Sequence, residues 1–167
     1  MGCPRRFRLD PKRLQSSHRR LQRALHPDNF SQSSDAERRY SEEQSALVNA
    51  AYGALLRPLS RGLYLLRLEL PGAQAADDDD EGEVDQATAN PAFLRDVLEL
   101  NEQLAAAESQ AEIRRVAGCV EGRLRELGEE VARAFEQGRP QEARTLLQQM
   151  KYWSSIEDRV KERLLPT

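Results

Sequence analysis

Three features of the sequence predict an all-α fold. Apolar residues recur at three- and four-residue spacing, aromatic residues make up only 5% of the chain, and no run alternates Val, Ile or Thr with polar residues as a strand would. The chain has 167 residues, of which 39% are hydrophobic and 32% charged, enough for one or two small cores. No apolar stretch approaches the ~18 residues of a membrane span, so no membrane contact is expected. Cys3 and Cys119 lie far apart without CxxC spacing, and with only two histidines they complete no familiar four-ligand metal site. Neither a metal nor a cofactor is expected.

Charge divides the chain. Residues 1–70 carry 13 Lys/Arg against 7 Asp/Glu, whereas residues 71–167 carry 12 against 21. The change falls at Pro71-Gly72 and the acidic run from Asp77 to Asp85. That run has too little apolar surface to fold, and self-repulsion extends it, so residues 71–89 are expected to be a linker. Residues 1–70 and 90–167 then form separate functional units.

The first helix is expected from about Asp10-Pro11 to Leu25, since proline suits a first turn where its missing N–H would be unpaired anyway. Leu14, His18, Leu21 and Leu25 make one stripe, with His18 a packed or half-exposed core residue. Lys12, Arg19 and Arg23 lie on another side, with Arg13 and Arg20 alongside. The helix must stop near His26, because a proline pushes the preceding residue out of the αR region. Pro27 then holds a turn, and Asp28 and Asn29 are polar turn formers. Ser34-x-x-Glu37 reads as a capping box that starts a second helix, which Pro58 ends. Its inner face is expected to be Tyr40, Gln44, Leu47, Val48, Ala51 and Leu55, packed antiparallel to the first helix.

The second unit reads as a three-helix bundle. Asn90-Pro91 is an N-cap followed by an N1 proline, and Phe93, Val97, Leu100 and Leu104 form a core stripe. A longer helix runs from about Ala111 to Gln137, with Ile113, Val116, Val120, Leu124, Leu127, Val131 and Phe135 inward. Gly118, Gly122 and Gly128 lower its intrinsic stability. Gly138-Arg139-Pro140 breaks the chain, and Ala143, Leu146, Met150, Trp153, Val160 and Leu164 line a third helix. Leu94, Leu98 and Ala105 make a second apolar edge beside Glu102. Periodicity alone leaves two readings of that edge open, a widened core face and a docking surface.

His26-Pro27-Asp28, followed by Asn49-Ala50-Ala51-Tyr52, Leu55 and Pro58, resembles the helix II, HPD loop and helix III pattern of J-domains, which switch on the ATPase of DnaK-type chaperones. The continuation from Pro58 to Leu68, the stretch from Phe93 to Leu104, and Met150-Lys151-Tyr152-Trp153 are similar to the HscB family of iron–sulfur cluster co-chaperones over nearly the entire chain. That resemblance implies a chaperone-binding site at His26, Pro27, Asp28, Arg19, Arg20 and Arg23. It implies a second site, for the IscU-type scaffold on which clusters are built, at Leu94, Leu98, Glu99, Glu102 and Tyr152. Arg95 and Ala106 depart from the usual apolar and acidic residues of that family surface. The implied partners are the scaffold protein and a mitochondrial DnaK-type chaperone, and the implied compartment is the mitochondrion, with the cytoplasm also open. J-domains normally begin with a helix I bearing a Tyr-Phe-x-Leu-type motif, and only Met1 to Phe7 precede the first helix here, so the chain is expected to be N-terminally shortened.

No enzymatic activity is expected, since the chain has no Gly-rich phosphate loop, no Walker-type lysine and no nucleophile–base arrangement. ATP hydrolysis would occur on the partner chaperone. A nucleic-acid-binding adaptor using the basic helix 11–25 is the alternative. The net charge of -3 and the lack of stacking aromatics on that face argue against it, so no nucleic-acid partner is expected. A hydrolase using His26 and Asp28 is weaker still, because the turn offers no nucleophile or metal.

Overall fold

The computed structural model describes residues 2–30, 34–70 and 90–165. Every regular element among them is helical, as the sequence predicts. The chain divides into two compact units, Met1–Leu65 and Leu66–Thr167. The acidic run and the expected linker 71–89 lie outside the described residues.

The first unit is built on α1 (Pro11–Ala24), a 3-10 turn over Pro27–Phe30, and α2 (Asp35–Leu56). The Asp10 side chain caps α1 by accepting from the Lys12 and Arg13 N–H groups at 2.9 and 3.3 Å. Ser34 and Glu37 form the expected capping box on α2, each accepting from the backbone of the other. A further helix, α3 (Pro58–Glu69), follows immediately, and the boundary between the units falls within it. Phe7 is buried under this frame. Arg61 lies over its ring with 5.4 Å to the centroid and donates to the Phe7 carbonyl at 2.8 Å. The same guanidinium donates to the Leu55 and Leu56 carbonyls at the end of α2. Burial pushes its pKa down, and these carbonyls replace the water it loses.

The inner face of α2 differs in part from the expected one: Val48, Ala51 and Leu55 are half-buried, the other three are not. Tyr40 and Leu47 are 68% and 61% exposed, and Gln44 is exposed as well. Against α1 stands a polar stripe of Ser41, Ser45 and Asn49 at four-residue spacing. Ser41 Oγ donates to the Leu25 carbonyl at 2.8 Å, and Ser45 Oγ donates to Gln22 Oε1 at 2.9 Å. Gln22 Nε2 donates to Asn49 Oδ1 at 2.8 Å and to the Ser45 carbonyl at 3.2 Å. His18 Nε2 also meets Asn49 Oδ1 at 2.9 Å, and its ring stacks on Tyr52 at 4.2 Å. Hydrophobicity misassigns the first half of this face because paired polar groups such as Ser41, which is buried, and Ser45, which is half-buried, can leave water at little cost, while Asn49 pairs at the exposed edge. Their small side chains also let the helices approach.

The second unit comprises α4 (Pro91–Ala106), α5 (Gln110–Glu136) and α6 (Pro140–Leu164). Asn90 caps α4 by accepting from the Ala92 N–H at 3.0 Å. Ser109 and Glu112 form a second capping box on α5. Gly138, at φ 65°, makes the left-handed turn into α6 that other residues resist. Val120, Leu127 and Val131 of α5 are fully enclosed, together with Leu147, Met150 and Ile156 of α6. The inner register of α6 therefore passes through Leu147, whereas Leu146, the expected core residue, is half-buried. Two adjacent leucines both fall near the face of Ala143, Met150 and Trp153, so periodicity does not separate them; packing against α5 encloses Leu147.

Candidate functional site

The turn joining α1 to α2 is shaped by its own side chains. Proline at 27 stops α1, and the chain tightens into the 3-10 turn, with the Asn29 N–H donating to the His26 carbonyl at 2.9 Å. Asn29 Nδ2 reaches back to the Arg23 carbonyl at 2.7 Å and the Ala24 carbonyl at 3.4 Å, satisfying the open end of α1. The Asp28 N–H donates to His26 Nδ1 at 3.3 Å, and Asp28 Oδ2 lies 3.4 Å from the same nitrogen. The turn therefore brings His26 and Asp28 together and leaves the carboxylate in water, 88% exposed. Arg19, Arg20 and Arg23 are exposed on α1 above it. A carboxylate at a tight corner beside an arginine-rich helix can offer a charge-assisted, directional contact to a guanidinium on a partner. Asn29, expected as a turn former, and Ser41, to which the sequence assigns no role, both hold this corner. The signal for Asn29 is an amide-bearing turn former directly after the tripeptide.

The residues expected to form the second site lie on α4 and α6. Leu94 and Leu98 are 41% and 59% exposed on α4, with Glu99 and Glu102 also in solvent. The second apolar edge is thus an uncovered strip in this unit, not a widened core face. Tyr152 of α6 is half-buried and packs edge-on against Phe93, with 5.7 Å between ring centroids. Tyr152 thus meets α4 at Phe93, on the turn that also carries Leu94. Glu99 Oε1 accepts from Gln103 at 3.1 Å, and Arg95 lies 4.0 Å from Asp96. An apolar strip rimmed by carboxylates has the chemistry of a protein-docking surface. Among the described residues no cluster of His, Cys, Asp and Glu could hold a metal ion, and no helix is long and apolar enough to cross a membrane.

Comparison with known proteins agrees with both units. Residues 89–161 match the family model described as the HSCB C-terminal oligomerisation domain. The iron–sulfur cluster co-chaperone protein HscB of Homo sapiens is 43% identical over 166 residues, which is 99% of this chain and 67% of the relative. The chain thus spans about two thirds of the length of that relative. The crystal structure of human HscB superposes with a TM-score of 0.82 at 40% identity, covering 100% of this chain and 81% of that one. HscB from Vibrio cholerae gives a TM-score of 0.77 at 29% identity, covering 98% and 96%. Identity of this extent across both helical units means that the chain belongs to the HscB family of iron–sulfur cluster co-chaperones.

Proposed function

We propose that this chain is a J-domain co-chaperone that carries the IscU-type scaffold to a mitochondrial DnaK-type chaperone and stimulates that chaperone's ATP hydrolysis, promoting cluster transfer. Residues 1–70 would act as the J-domain and residues 90–167 as the scaffold-binding domain. The observation that carries the reading is the exposed Asp28 carboxylate beside His26 at the corner that ends α1, the helix bearing the exposed Arg19, Arg20 and Arg23. There Asp28 pairs with an arginine of the chaperone and favours its hydrolysis-competent state, while the basic helix steers encounter with an acidic surface. His26 and Pro27 shape the corner. The chain itself hydrolyses nothing, and the cluster is cargo on the scaffold.

The exposed Leu94 and Leu98, the flanking Glu99 and Glu102, and Tyr152 support scaffold docking on α4 and α6. Two sites on one chain raise the effective concentration of scaffold at the chaperone, so scaffold and co-chaperone stimulate hydrolysis together. Titration of scaffold into chaperone plus this chain, with steady-state ATPase as readout, tests the coupling. Synergy in the wild type that disappears in a Leu94→Ala, Leu98→Ala double variant is the expected result. Equal synergy in both would remove α4 as the docking surface.

A further inference from the structure

α5 and α6 pack along most of their lengths, whereas α4, the helix with the exposed Leu94 and Leu98, meets them over a shorter stretch. Three ties join α4 to α6. Phe93 meets Tyr152 near the start of α4, Arg159 Nη2 donates to Asn101 Oδ1 at 2.6 Å, and Arg163 donates from its two terminal nitrogens to the Leu104 and Ala107 carbonyls. The partners rise together along both helices, so α4 and α6 run in the same direction.

The position of these ties on α4 gives them their consequence. At 3.6 residues per turn, Asn101 lies roughly 80° around the helix from Phe93, between the core stripe and the strip of Leu94, Leu98 and Ala105. A bond at that border opposes rotation of the strip toward or away from α6. The Arg163 fork acts on the backbone at the last turn of α4, where Ala107 ends the helix without a glycine cap, and so fixes its height. Arg159 is itself steadied by donation from Nε to the Ser155 carbonyl at 3.4 Å. On the far side of the α4–α5 corner, Glu112 accepts from the Glu108 and Ser109 N–H groups at 3.0 and 2.9 Å.

We propose that Arg159 and Arg163 are positioning residues for scaffold docking: they set the rotation and height of α4 against α6 so that Leu94, Leu98 and Tyr152 form one surface. The inference rests on the docking function proposed above. Neither arginine needs to touch the scaffold.

The experiment uses the full chain and purified apo scaffold protein, with binding measured by calorimetry and synergy by chaperone ATPase. Arg159→Ala and Arg163→Ala are expected to raise the scaffold Kd about fivefold, the scale of a moderate interface contact. The scaffold concentration for half-maximal synergy rises with it, while the maximal rate and the scaffold-free stimulation stay at wild-type values. Arg159→Lys, which can still reach Asn101, recovers most of the loss. Wild-type Kd in the alanine variants, alongside weakened binding by the Leu94→Ala, Leu98→Ala variant, overturns the positioning role and leaves docking intact. Wild-type Kd in that leucine variant instead overturns the docking surface itself. Should Arg163→Ala fail to fold, Arg163→Gln keeps the stem and removes the charged fork, and an unchanged Kd in both Arg163→Gln and Asn101→Ala, which removes the acceptor of Arg159, overturns the proposal.

Discussion

Nδ1 of His26 accepts the backbone N–H of Asp28 and stands 3.4 Å from the Asp28 carboxylate. Acceptance at Nδ1 leaves the ring proton of neutral His26 on Nε2, so the ring offers the neighbouring carboxylate no N–H. The imidazole is 59% exposed, so it shapes the corner without being part of a core. A tripeptide with this arrangement does more than turn the chain. It presents one exposed acid at the end of a helix that carries three exposed arginines.

Ser41 ties this corner to α2. Its buried hydroxyl donates to the Leu25 carbonyl at the end of α1. Ser41→Ala is expected to cost about 1–2 kcal/mol by leaving that carbonyl unpaired. Urea unfolding followed by circular dichroism checks it, and amide exchange at residues 21–30 should accelerate in the variant. Unchanged exchange there would detach Ser41 from the corner.

Acid sensitivity has an identifiable source in the caps. Backbone and hydroxyl hydrogen bonds from Ser109, with a further bond from the Glu108 N–H, hold the Glu112 carboxyl below its ordinary value of 4.5, and Ser34 does the same for Glu37. Because the folded-state value is the lower one, the stabilisation is complete above the ordinary value and is lost as pH falls through the folded value. Thermal unfolding measured from pH 7 down to about pH 2 should fall less steeply on the acid side for Glu112→Gln than for the wild type. Parallel profiles would exclude the cap as a source.

Glycines on α5 and at its end respond in opposite directions. A Cβ at Gly118 or Gly122 meets nothing within 4 Å, so Gly118→Ala and Gly122→Ala should each stabilise by about 0.5–1 kcal/mol through helix propensity and reduced unfolded-state entropy. Gly138 also has open space, but its φ of 65° is left-handed, and Gly138→Ala should destabilise by about 1 kcal/mol. Trp153, the single tryptophan and a buried one, reports these shifts by fluorescence during denaturation.

The helices with strong caps and clean stripes were legible in the sequence. Asp10-Pro11, Ser34-x-x-Glu37 and Asn90-Pro91 all cap helices within a residue of the expected starts. The HPD corner was legible because proline and two turn formers dictate backbone geometry locally. The inner face of α2 was legible only at Val48, Ala51 and Leu55, since Ser41 and Ser45 look like solvent-facing residues until Leu25 and Gln22 supply partners from another helix. Tyr40 and Leu47 had the opposite effect, weighting the wrong side. The α4 strip was visible as an apolar edge, but only packing distinguishes an uncovered edge from a wide core. The arginine ties from α6 were beyond reach, because a guanidinium that meets backbone carbonyls leaves no trace in the sequence of its acceptors.

The role proposed for Asp28 is played out on a chaperone. The direct measurement is the steady-state ATPase of a mitochondrial DnaK-type chaperone with scaffold protein and either the wild-type chain or Asp28→Ala. The exposed carboxylate contributes no burial, so the variant should keep its helicity and its scaffold Kd. Stimulation by the wild type that is abolished in Asp28→Ala is the predicted result; equal rates with the two chains would contradict it.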